Sequence, residues 1–299
     1  MMKTNVSLRG CFPPIPTPFD ARGRVDHEHL ASNLKRWQET PLRGFAVLGS
    51  NGEAVLLREA EKLEVWKTAR EAIDGDHVFI AGTGCESTIE TIELTQKAAE
   101  LGADVALVVT PHYYKARMDR RALVIHYTAV AERSPIPIVL YNVPASTGVD
   151  MGADVIIELA AHPNVVGLKE SSGNVVKMGQ VRAAVREGFQ VLAGSGSFLL
   201  PALAVGGIGG VMALASVAPR RLHEILTSFE QGDLARAKEI QLRLIAPNAA
   251  VTSQFGVAGL KAAVDLIGMY GGPVRPPLLP LEPAQRDEVR RILEKAELL

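Results

Sequence analysis

The chain has 299 residues, 47% of them hydrophobic, enough for one large core or two smaller ones. A formal net charge of −1 gives no reason to expect a nucleic acid or an anionic membrane as partner. Two cysteines, Cys11 and Cys85, exclude a disulfide framework and read as small buried hydrophobes in a reducing compartment.

The stretch from Met1 to Ser7 holds no apolar run long enough for a signal peptide. It is also too short and too poor in arginine for a transit peptide. No run of about 18 apolar residues occurs, so a soluble cytoplasmic protein is expected. Eight short, β-branched apolar runs then follow in order: Cys11 to Ile15, Phe45 to Leu48, Val78 to Ala81, Val105 to Val109, Ile136 to Tyr141, Val165 to Leu168, Gln190 to Ala193 and Ile208 to Met212. Most are roughly thirty residues apart, the spacing of strand–helix units. Helical periodicity fills the gaps, with Asp26, Ser87 and Asp119 as N-caps. Eight such units predict an α/β fold of the (β/α)₈ TIM-barrel type, its strands buried on both faces. A doubly wound open sheet would need a glycine-rich loop after the first strand, and Phe12-Pro13-Pro14-Ile15-Pro16 is a poor one.

Beyond about Leu214 the pattern is helical, over His223 to Phe229, Leu234 to Ile245, Gly259 to Ile267 and Glu282 to Glu297. This exceeds what an eighth unit needs. A catalytic barrel over 1–232 and a C-terminal helical extension over 233–299 are expected, with Gly271 to Pro280 as an ordered connection between helices.

Barrel chemistry stands at the C-terminal ends of the strands. The sixth run ends in Lys169, which strand alternation places on the face of Val165 and Gly167. Desolvation there favours the neutral amine, a nucleophile able to form a Schiff base, although a structural ion pair is an equal reading. Tyr141 ends the fifth run, and spacing leaves it open between a proton shuttle and a packed strand-end tyrosine. The loop Gly49-Ser50-Asn51-Gly52-Glu53 can cradle an anion with backbone N–H groups and the side chains of Ser50 and Asn51. Glu53 reads more simply as a carboxylate bonded to helix-start amides. The seven histidines form no His-Glu-x-x-His or Cys/His cluster, so no metal is expected; only His112 lies on the rim.

Three motifs together are specific: Gly49 to Glu53, Tyr141-Asn142-Val143-Pro144 with Thr147-Gly148, and Gly167-Leu168-Lys169-Glu170-Ser171. By them the chain resembles, over nearly its whole length, the pyruvate-dependent class I aldolases that include dihydrodipicolinate synthase and N-acetylneuraminate lyase. Segments such as Ala81 to Thr88, Val109 to Tyr114 and Pro247 to Thr252 look most like the 4-hydroxy-2-oxoglutarate aldolases within that family. The resemblance implies Lys169 as the Schiff-base lysine, Tyr141 as the acid–base tyrosine, Ser50 as the relay hydroxyl with Asn51 beside it, and Tyr113 as a second relay tyrosine lent by a neighbouring subunit. Ser171 and Gly194 match positions that shape the pocket. Dihydrodipicolinate synthases usually carry two threonines where this chain has Ser50-Asn51, and an arginine for the aldehyde's carboxylate where it has Ser146.

The expectation is therefore a carbon–carbon lyase that cleaves 4-hydroxy-2-oxoglutarate to pyruvate and glyoxylate without metal or organic cofactor. The alternative is condensation of pyruvate with aspartate semialdehyde; a barrel that binds a 2-oxo acid without turnover is a third reading. A homotetramer, a dimer of dimers, is implied, with no nucleic-acid or membrane partner.

Overall fold

The computed structural model describes residues 6–299; residues 1–5, which hold most of the N-terminal stretch assessed above, lie outside that range. Eight parallel strands run β1 Gly10–Phe12, β2 Gly44–Val47, β3 Val78–Gly82, β4 Val105–Val109, β5 Ile138–Asn142, β6 Val165–Glu170, β7 Gln190–Ala193 and β8 Gly209–Val211. Their order, β1-β8-β7-β6-β5-β4-β3-β2, joins each strand to its sequence neighbours, with β8 returning to β1. The remaining gap, between β1 and β2, is spanned by one bridge, Pro14 to Ala46. The expected first strand stops at Phe12 rather than Ile15 because Pro13 and Pro14 have no N–H to donate. Pairing passes instead through the Ala46 N–H to Pro13 O at 2.9 Å and the Ile15 N–H to Ala46 O at 3.0 Å. This is a (β/α)₈ barrel.

Helices cover it: α1 His27–Gln38, α2 Glu59–Ala72, α3 Thr88–Glu100, α4 Arg120–Arg133, the single turn α5 Pro144–Thr147, α6 Ala153–Ala160, α7 Val175–Ala184, α8 Leu199–Ala204 and α9 Pro219–Glu230. Asp26, Ser87 and Asp119 each accept a backbone N–H three residues on, as N-caps do. Four more helices follow: α10 Leu234–Arg243, α11 Ile245–Ala249, α12 Gly256–Leu266 and α13 Pro283–Lys295. A π-helical turn, Ala250–Gln254, joins α11 towards α12.

Two apolar layers form. Phe12, Ala46, Ile80, Leu107, Val139 and Leu192 fill the barrel, and a larger layer packs the outer strand faces against the helices. In β6 the expected alternation breaks. Ile138 pairs with Val165, but the next residue, Val139, pairs with Gly167. Val166 is the extra residue of a bulge, so Val165 faces the outer layer while Val166 faces the interior. Lys169 thus shares its face with Gly167 but not with Val165.

Candidate active site

Lys169 and Tyr141 are partners in the β5–β6 register. Both point into the barrel mouth; Lys169 is 3% exposed and Tyr141 5%. The Lys169 Nζ stands 3.9 Å from the centroid of the Tyr141 ring. The Tyr141 hydroxyl meets Ser50 Oγ at 3.3 Å. Three residues, from the loop after β2 and from β5 and β6, therefore converge, and an amine, a phenol and a hydroxyl in contact can pass a proton beside a carbonyl carbon.

The strand-2 loop is held under backbone strain. Leu48 and Glu53, which bracket it, both lie in the left-handed region, with φ of 62° and 55°. Between them Ser50–Gly52 forms a 3₁₀ turn that spends the N–H groups of Gly52 and Glu53 on Gly49 and Ser50 oxygens. Gly82 permits this path, since a Cβ there would lie 2.1 Å from Leu48 O. Thr17 Oγ1 donates to Gly52 O at 2.7 Å and ties the first loop to the second.

Glu53 departs from the expected helix-start role. Its carboxylate is buried and pairs with Lys261 Nζ at 2.6 Å, and it accepts the Arg275 N–H at 2.8 Å. Lys261 and Arg275 come from α12 and the connection after it, and both lie over the Phe19 ring. Burial pushes the Lys261 ammonium below the usual lysine range, against the opposing pull of Glu53. The C-terminal segment thus grips the strand-2 loop, and it also grips the strand-7 loop. Asn248 accepts from the Gly196 N–H at 3.0 Å and donates to Ser195 Oγ at 2.9 Å, and Gln241 donates to Gly196 O at 2.8 Å.

Ser171 Oγ is buried and has no hydrogen-bond partner among the described residues. It fills the space a Cβ on Gly194 would take, 1.8 Å from that position, so glycine at 194 makes room for the hydroxyl. A buried unpaired hydroxyl beside this site is available to a bound molecule. Ser146 is exposed on α5, two residues before Gly148, whose missing Cβ would stand 3.7 Å from Lys115 Nζ.

Tyr113 is not brought to the other three. It is 76% exposed and packs edge-on against Tyr114, with ring centroids 5.0 Å apart. Its backbone and that of His112 are pinned by Glu86, which accepts both N–H groups at 2.8 and 2.9 Å and meets the His112 ring at 2.8 Å. A cavity of about 860 Å³, lined partly by Arg9, Arg182 and Gln190, opens at the opposite end of the barrel, around the N-terminal ends of the strands. Among the described residues no group of three or more His, Cys, Asp or Glu could hold a metal ion, and no helix is long and apolar enough to cross a membrane.

Sequence reasoning missed a polar set behind the site: the buried Asn142, Glu170 and Lys177 with the half-exposed Asp150. The signal was present. Asn142 and Glu170 directly follow Tyr141 and Lys169, at outward strand positions that helices cover, where a polar residue needs a partner.

The model of the "Dihydrodipicolinate synthetase family" matches residues 7–296. The chain belongs to this family. It is 39% identical to the 4-hydroxy-tetrahydrodipicolinate synthase of Methanoculleus marisnigri, over 96% of this chain and 98% of that protein. It is 38% identical to the enzyme of the same name from Methanothrix thermoacetophila, over 96% and 97%. Among solved structures it resembles the dihydrodipicolinate synthase of Aquifex aeolicus, with a TM-score of 0.90 and 33% identity over 97% of this chain and 99% of that one.

These relatives overturn the expected cleavage of 4-hydroxy-2-oxoglutarate, because the likeness to condensing enzymes runs the length of both chains. The short segments behind the cleavage reading lie at the ends of β3, β4 and β7 and in the C-terminal helices, and they are a small part of a likeness that spans the chain. An amine, a phenol and a hydroxyl in this arrangement are chemically as suited to addition to an aldehyde as to release of one. Ser146 is exposed, and a serine in place of an arginine there does not by itself set the direction of a reaction.

Proposed function

We propose that this protein condenses pyruvate with aspartate semialdehyde, the reaction of a 4-hydroxy-tetrahydrodipicolinate synthase. The observation that carries this reading is the full-length likeness to enzymes of that name, at 39% identity over 96% of the chain. The close approach of Lys169, Tyr141 and Ser50 supports it.

In this reading Lys169 Nζ adds to C2 of pyruvate, and water leaves as the imine forms. Loss of a methyl proton gives the enamine, whose carbon adds to the aldehyde. The new alkoxide takes its proton from Tyr141, recharged through Ser50. The amino group of the former semialdehyde then attacks the imine carbon, closes the ring and frees Lys169. The pyruvate carboxylate lies against the Ser50 and Asn51 N–H groups, the ones the 3₁₀ turn does not spend on itself. Ser171 Oγ, given room by Gly194, contributes a further hydrogen bond. Lys115, alongside Gly148, takes the second carboxylate in place of an arginine at Ser146. Tyr113 enters the site of a second copy of the chain, and the exposed face of Tyr113, Tyr114 and Val55 is what that copy covers.

The test incubates the protein with pyruvate and borohydride, and separately with pyruvate plus aspartate semialdehyde. A reduced adduct on Lys169 and formation of the cyclic product are expected. An adduct on another lysine, or none, would sink the mechanism. An adduct without condensation, alongside turnover of a different aldehyde, would sink the choice of acceptor.

A further inference from the structure

The β5–β6 pair carries two consecutive rungs with opposite duties. Tyr141 and Lys169 form one rung and face the barrel interior; Asn142 and Glu170 form the next and face outward. Both outward residues are 0% exposed. Asn142 Nδ2 donates to Glu170 Oε1 and Oε2, each at 3.0 Å, and to Asp150 Oδ1 at 2.7 Å. Asn142 Oδ1 accepts the Met151 N–H at 2.9 Å. Glu170 Oε1 also accepts the Ser172 N–H at 2.6 Å.

The counter-charge comes from α7. Lys177 Nζ, almost fully buried, reaches Glu170 Oε2 at 3.0 Å, Asp150 Oδ1 at 2.5 Å and Met151 O at 3.3 Å. Its helix is aimed by Asn174, the N-cap, which accepts the Lys177 N–H at 2.9 Å. Burial works to raise the Asp150 carboxyl, but the bonds from Lys177 and Asn142 outweigh it and hold the group below its usual range.

We propose that Glu170, Lys177 and Asp150, joined through Asn142, are positioning residues for the proposed Schiff-base reaction. They touch no substrate. They lock β5 to β6 in one register, which sets Lys169 Nζ against the Tyr141 ring. They also close the loop that carries Ser146, because Asn142 bonds both Asp150 and Met151 at its far end. The buried Lys177–Glu170 pair contributes little net stability, since desolvation offsets most of the Coulomb gain. What it does supply is direction. Each donor has one set of acceptors, and a strand slipped by one residue would leave a carboxylate buried without them.

The inference rests on the Schiff-base reading but not on the choice of aldehyde, so its test uses pyruvate alone. The rate of borohydride-trapped adduct at Lys169, and of exchange of the pyruvate methyl protons in deuterated water, is measured per folded molecule. Lys177→Met is expected to slow both by about tenfold or more, with the pyruvate KM little changed, because misplacing a reacting group costs rate. Lys177→Arg should restore part of the loss. Asp150→Asn removes one carboxylate on a half-exposed side chain; it should slow both rates to a lesser degree, and it carries the test if Lys177→Met does not fold. A lower melting temperature with unchanged trapping and exchange rates in both variants would overturn the proposal and leave a purely structural network. A wild-type adduct without condensation product would instead sink the aspartate semialdehyde reading and leave this one standing.

Discussion

Lys169 and Tyr141 were legible because each ends an apolar run, and a barrel delivers strand ends to one rim. Their contact was not, because it depends on which residue of β5 faces which residue of β6. The cation proposed for the second carboxylate was hidden for a related reason: Lys115 and Gly148 are 33 positions apart, and only the fold lays one along the other. Lys115→Ala is expected to raise the KM for the aldehyde about tenfold, the loss of one charge-assisted contact, with the pyruvate KM unchanged. Adding Ser146→Arg to that variant should recover the affinity. Steady-state kinetics with each substrate varied in turn provide the check, and an unchanged aldehyde KM in Lys115→Ala would exclude it as the carboxylate contact.

At the level of elements, the positions of the eight runs survived almost unaltered, β4 and β7 to the residue. Their composition fits a strand buried on both faces and little else. The bulge at Val166 was not legible, since an extra residue leaves no mark in a run that is apolar throughout. Nor was the role of Glu53, whose partner Lys261 is over 200 residues away on α12. That pair is an element-scale clamp between the C-terminal helices and the strand-2 loop. Lys261→Met should destabilise the protein by about 3–5 kcal/mol, since it leaves the Glu53 carboxylate buried and uncompensated. Pairing it with Glu53→Gln should recover much of that loss, as read by urea unfolding of the two single variants and the double. A double-variant loss equal to the sum of the two single losses would mean that the charges are not coupled.

At the scale of the whole molecule, the proposed role of Tyr113 makes the site one that a second copy of the chain completes. Lys169, Tyr141 and Ser50 meet in the barrel mouth, while Tyr113 and Tyr114 are exposed on the same rim. If Tyr113 serves a second copy, Lys169→Ala and Tyr113→Phe should each be nearly inactive alone. Mixed and reassembled, they should regain about a quarter of wild-type activity, because half of the random pairs are hybrids with one intact site of two. No recovery after verified subunit exchange would place Tyr113 outside the reaction.

Local chemistry was enough to reveal an eight-unit barrel and a rim carrying Lys169, Tyr141 and Ser50, and the motifs around them pointed to the family. Apolar runs, caps and strand-end residues are properties of short segments, and short segments carry them unaided. The tertiary structure alone decided what crosses between segments: the bulge that reorients Val165, the Glu53–Lys261 clamp, and the Asn142–Glu170–Lys177–Asp150 set behind the Tyr141–Lys169 rung. Each of these is a buried polar or register choice. Such a choice is fixed by the cost of leaving a charge or a hydrogen bond unmet in the packed interior, and the partner that meets it can lie anywhere in the chain.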